Sequence, residues 1–143
     1  MAFNNNIQYE FSYEKRQEEI YIPKATVIFK SFTSENSKIC EGIVDTGSEV
    51  TLVASELIKE LEYPSLGTEI MNTAVIGESI NIIPCWGLIS FYADNVATKH
   101  QCIKLHSCKR QNLAQDVLLG MNFINKYEIT FSGKEKKFYA KLE

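Results

Sequence analysis

The stretch Ile43-Val44-Asp45-Thr46-Gly47-Ser48 sets one acidic residue between the end of an apolar strand and a tight turn. Upstream, Lys38-Ile39-Cys40-Glu41-Gly42-Ile43-Val44 has the apolar and β-branched content of a strand, and Gly47 supplies the backbone freedom of a sharp turn. This is how a carboxylate is delivered to a cleft. A tripeptide of common residues also recurs by chance, so the meaning of Asp45 depends on its surroundings.

Those surroundings read mostly as β. Ala25-Thr26-Val27-Ile28-Phe29 forms a strand, the polar run Thr33-Ser34-Glu35-Asn36-Ser37-Lys38 turns the chain, and the strand entering Asp45 completes a hairpin. A short helix is expected from Ser55 to Leu61, with Ser55 as its cap, Glu56 in the first turn, one apolar face of Leu57, Ile58 and Leu61, and Pro64 as its stop. Two strands, about 69–76 and 79–91, flank Gly77, the second broken or bent at Pro84. Further strands are expected at 97–105, at Val117-Leu118-Leu119, and at 127–131 and 137–142 around Gly133, with a helical turn over 121–127.

At 143 residues, 45% of them apolar and 23% charged, the chain suits one domain with a real core. Residues 1–20, rich in Asn, Gln, Glu and Lys, are expected as a flexible N-terminal arm leading into a domain at 21–143. Docking of the arm through Phe3, Tyr9, Phe11 and Tyr13 is the alternative. A net charge of -3 with scattered cations gives no case for nucleic acid. The polar start does not resemble a signal peptide, and the longest uncharged run, Ser79 to Ala93, is shorter than the roughly 20 residues of a spanning helix. No membrane partner is expected. Cys40, Cys85, Cys102 and Cys108 are read as reduced core thiols. His100, Cys102, His106 and Cys108 have no zinc-finger spacing and share a face with Lys104, so no metal is expected there.

Taken together, the apolar-apolar-Asp45-Thr46-Gly47-Ser48 run, the glycine-tipped hairpin at Gly77, and Val117-Leu118-Leu119-Gly120 before a short helix resemble the retropepsin aspartic proteases in order and spacing. Val75-Ile76-Gly77-Glu78-Ser79-Ile80-Asn81-Ile82 and Leu119-Gly120-Met121-Asn122-Phe123 are most similar to the proteases of plant pararetroviruses, the caulimovirus group, and next to those of long-terminal-repeat retroelements. The resemblance implies an all-β, closed-barrel acid-protease fold with one or two short helices, forming one half of a two-fold symmetric site. Asp45 would be the catalytic carboxylate, and Thr46 would lock the two active-site loops together. The Gly47 carbonyl would bind the substrate main chain, and Ser48 would hydrogen-bond Asp45. Ile76, Gly77 and Glu78 would form a flap over an extended polypeptide, and Gly120 would support the active-site loop. It also implies a polyprotein-processing enzyme in the host cytoplasm or a virus particle.

Peptide hydrolysis by carboxylates needs two of them, one accepting a proton from water and one donating to the carbonyl oxygen. The chain has three aspartates, Asp45, Asp94 and Asp116, and neither of the last two precedes Thr-Gly or Ser-Gly. An enzyme of this kind must therefore be a homodimer contributing Asp45 twice. The competing expectations are a non-catalytic interaction domain, or a cellular shuttle protein, of the same fold, and a ligand-binding β-barrel with a fortuitous Asp-Thr-Gly.

Overall fold

The structure is a computed structural model, described over residues 7–67, 69–72, 79–108 and 117–142. Its strands in chain order are β1 (Gln8–Ser12), β2 (Glu14–Gln17), β3 (Ile20–Ile22), β4 (Lys24–Lys30), β5 (Ser37–Val44) and β6 (Thr51–Ala54). After helix α1 (Ser55–Glu60) come β7 (Glu69–Asn72), β8 (Ser79–Ala93), β9 (Val96–Ala97), β10 (Gln101–Cys108) and β11 (Val117–Leu119). Helix α2 (Met121–Ile124), β12 (Glu128–Ser132) and β13 (Lys137–Lys141) follow.

Strands β10, β6, β11, β5, β4 and β8 neighbour one another in that order, and β8 returns to pair with β10. Six strands thus close into a barrel, which removes the open edges that a flat sheet would leave. The expected hairpin is present as β4 against β5, from Lys24↔Ile43 to Lys30↔Ser37. Alternation explains its interior: Cys40, Gly42 and Val44 of β5 are buried, whereas Ile39 and Glu41 are exposed. Val27, Phe29, Val53, Leu105 and Leu119 are fully buried in the resulting core.

A second sheet, β1-β13-β12, packs on the barrel through aromatic rings. Phe91 of β8 sits 5.4 Å from Phe11, 4.9 Å from Phe123 and 4.7 Å from Tyr127, ring centre to ring centre. The supposed flexible arm is thereby corrected. From Gln8 to Ser12 it is a strand paired with β13, and Tyr9 and Phe11 belong to the core. Perfect alternation, with Tyr9 and Phe11 inward and Gln8, Glu10 and Ser12 outward, lets a polar segment dock. After Ser12 the chain enters a β2–β3 hairpin turning at Glu19, with φ 62°. Lys24 holds that hairpin to the barrel, with Nζ 3.0 Å from Glu14 and 2.8 Å from Glu41.

Other expectations are adjusted locally. The cap of α1 is Ala54 rather than Ser55, without a side-chain hydrogen bond, and burial of Leu57 and Leu61 anchors the helix instead. Pro84 does not break β8; its carbonyl accepts a bond from the Leu66 N–H at 2.7 Å, and a proline costs the ladder only one donor. The strand expected over 97–105 divides into β9 and β10, because the buried Thr98 hydroxyl turns to the Tyr127 hydroxyl at 3.0 Å. Cys40 and Cys85 are buried, but Cys102 is exposed. Among the described residues no helix is long and apolar enough to cross a membrane.

Candidate active site

Asp45 stands where β5 ends, and its position is set by the barrel rather than by the turn alone. The strand pair β5–β11 runs parallel to Leu119↔Val44, and the Asp45 N–H then donates to the Leu119 carbonyl at 2.9 Å. On the preceding residue, the Val44 N–H donates to the Pro23 carbonyl at 2.9 Å. Within the loop the Gly47 N–H donates to Asp45 Oδ1 at 2.9 Å, and the Ser48 N–H to the Asp45 carbonyl at 3.2 Å. Asp45 is half-buried, and Thr46 and Gly47 lie exposed on the single chain. The expected bond from Ser48 to Asp45 is not made: the Ser48 hydroxyl donates to the Val50 carbonyl at 2.7 Å, the nearer acceptor once the loop has turned.

Gly120 lies against this loop from below. A Cβ there would come 2.0 Å from the Val50 oxygen and 2.4 Å from its carbonyl carbon, both backbone atoms that cannot swing aside. The requirement is for close approach; its φ of -92° is ordinary. The loop is also sewn to α2, with Met121 N–H donating to the Ser48 carbonyl at 2.7 Å and Asn122 N–H to the Glu49 carbonyl at 3.2 Å.

Two residues to which the sequence assigned no role complete the support. The Thr51 hydroxyl, fully buried, donates to Asn122 Oδ1 at 2.7 Å and accepts the Gly120 N–H at 3.1 Å. Asn122 Nδ2 in turn donates to the Lys104 carbonyl at 2.7 Å. Three hydrogen bonds thus tie Thr51, Asn122, Gly120 and Lys104 together, and a buried polar network whose members are paired is rigid instead of costly. Thr51 and Asn122 are 71 residues apart, so no local pattern reveals them; the polar residue beside an apolar-apolar-glycine run was the available signal.

The other candidates lie either outside the described residues or elsewhere in the fold. Ile76, Gly77 and Glu78 lie outside the described residues, although the arms of their hairpin pair from Glu69↔Ile82 to Asn72↔Ser79. Asp116 also lies outside them, and Asp94 occupies the exposed β8–β9 turn. His106 is buried and His100 half-buried, the latter with its pKa pushed down by burial and by Lys30. Among the described residues no three His, Cys, Asp or Glu side chains group as metal ligands.

No family model matches the chain, and no curated protein does. Among solved structures, the crystal structure of a retropepsin-like aspartic protease from Rickettsia conorii superposes with a TM-score of 0.59 at 14% identity, covering 94% of this chain and 90% of that one. The likeness covers nearly the whole chain, and the chain has the retropepsin-like fold.

Proposed function

We propose that the chain is an aspartic endopeptidase that works as a homodimer, with one Asp45 from each copy forming the catalytic pair. The observation that carries this reading is Asp45-Thr46-Gly47 at the end of a barrel strand in a retropepsin-like fold, braced by Gly120, in a chain with a single such motif. Two carboxylates brought to about 3 Å cannot both ionise, so the pair holds one proton between them and titrates as a unit. The ionised partner takes a proton from water as the water oxygen bonds to the peptide carbonyl carbon, and the protonated one donates to the carbonyl oxygen. The tetrahedral intermediate then collapses as the first carboxyl passes its proton to the leaving nitrogen and the second recovers one from a hydroxyl, releasing acid and amine. Neither step calls for a metal or organic cofactor.

The substrate is an extended polypeptide held by main-chain bonds under the 69–82 hairpin as flap. The resemblance to pararetroviral and retroelement enzymes favours a viral or retroelement polyprotein, cut in the host cytoplasm or the virus particle. Replacing Asp45 by Asn removes cleavage of such a precursor at mildly acidic pH while the thermal transition and circular dichroism stay unchanged. Undiminished, pepstatin-insensitive cleavage by that variant would leave the fold but refute the mechanism. A folded wild-type chain without cleavage would favour the non-catalytic domain.

A further inference from the structure

The proposed catalytic pair needs a second chain, and the strand pairing limits where it can join. The barrel is closed. In the outer sheet β13 has both edges occupied by its own chain: Phe138 pairs with Phe11 on one side and with Phe131 on the other. A partner's strand could reach β13 only by displacing β12, or β1 together with buried Tyr9 and Phe11. The central strand β13 is therefore not the joint this chain offers.

Two outer edges remain in that sheet, and they differ chemically. The middle of β1 is Glu10, exposed and ion-paired to Lys137 at 2.8 Å. Two copies paired there would oppose Glu10 to Glu10, a like-charge contact that disfavours pairing. The middle of β12 is Ile129-Thr130-Phe131, without charge or proline, and natural edges are normally guarded by one or the other. An aromatic row leads from the core out to it: Phe11 to Phe138 at 5.2 Å, then Phe138 to Phe131 at 5.8 Å. Phe131 ends the row 42% exposed.

We propose that two copies join at β12 by antiparallel self-pairing centred on Thr130. A two-fold axis there sets Ile129 against Phe131 of the second copy, Glu128 against Ser132, and Thr130 against Thr130, with no like charges opposed. The aromatic row then continues across the axis, and one six-stranded sheet runs β1-β13-β12 and back through the second copy. This seam rests on the homodimeric protease reading, but its test needs no cleavage.

The test uses the full chain carrying Asp45→Asn, with the exposed Cys102 replaced by Ser. Directly opposed strand residues lie within disulfide reach. Adding Thr130→Cys therefore yields a covalent dimer on mild oxidation, which the parent and a Glu10→Cys variant do not. Phe131→Asp raises the dimer dissociation constant about tenfold or more by sedimentation equilibrium, with the monomer's circular dichroism retained. A dimer that neither cross-links through position 130 nor weakens with Phe131→Asp overturns the seam, as does preferential cross-linking at position 10 or a chain that stays monomeric at every concentration. A Thr130-linked dimer whose Asp45 counterpart cleaves nothing supports the seam and contradicts the protease reading alone.

Discussion

The barrel and the outer sheet share one core yet finish their hydrogen bonding differently. In the barrel, β8 meets β10 and the ring is complete, so every ring strand has a neighbour on both sides. In the outer sheet, β13 is enclosed but β1 and β12 face outward, and the apolar row ends at a half-exposed Phe131. The closed part holds Asp45 at a fixed place. The open part is where, on the proposed reading, a second copy joins by self-pairing of β12.

Phe91 joins the two regions, because it is fully buried and touches rings of β1, β13, α2 and Tyr127. Phe91→Ala is expected to cost about 3–5 kcal/mol, read from denaturant unfolding, and to loosen the outer sheet together with the barrel. A loss under about 1 kcal/mol would mean that sheet and barrel are energetically separate. Gly120→Ala tests the barrel side alone. Its Cβ meets the Val50 backbone, so the variant is expected to lose about 1–3 kcal/mol and to displace the Asp45 loop. Gly87→Ala should be milder, since its nearest neighbour is the movable end of the Leu105 side chain. Equal costs would show that the Val50 loop yields as easily as a side chain.

The smallest effect concerns the strap between arm and barrel. Hydrogen bonding from Lys24, with Arg16 nearby, holds the Glu14 carboxyl below the usual glutamate range. A depressed carboxyl pKa stabilises the folded form above the unfolded pKa, and that contribution is lost as pH falls through the lowered value. Following the Glu14 carboxyl by NMR should show titration below an ordinary glutamate, returning toward normal in Lys24→Met. No change in that variant would remove Lys24 as the cause.

How much of this was legible in the sequence varies with how local its cause is. The β4–β5 hairpin and the turn at Asp45 follow from alternation and a glycine, both visible within a few residues. β1 alternates equally well, but its polar neighbours made it read as an arm, and β2, Glu14-Lys15-Arg16-Gln17, has no apolar residue to show. Trp86 lies in a strand, yet it is 43% exposed and lines a shallow apolar depression of about 420 Å³ with Phe32, Pro64 and Cys102. The Thr51–Asn122 network is a product of tertiary approach, and so is the closure of β8 on β10. Pairing of the terminal strands within one chain also lies beyond composition, since it depends on which of several strands β13 meets.

The central claim is that catalysis resides between two copies of this chain. Titrating wild-type protein with excess Asp45→Asn protein, at fixed wild-type concentration and with a peptide substrate, tests it most directly. Exchange of subunits should fill wild-type partners with inactive ones, so activity is expected to fall toward zero as the variant is added. Activity that stays constant across the titration, in a mixture shown by sedimentation to exchange subunits, would contradict the shared Asp45 pair.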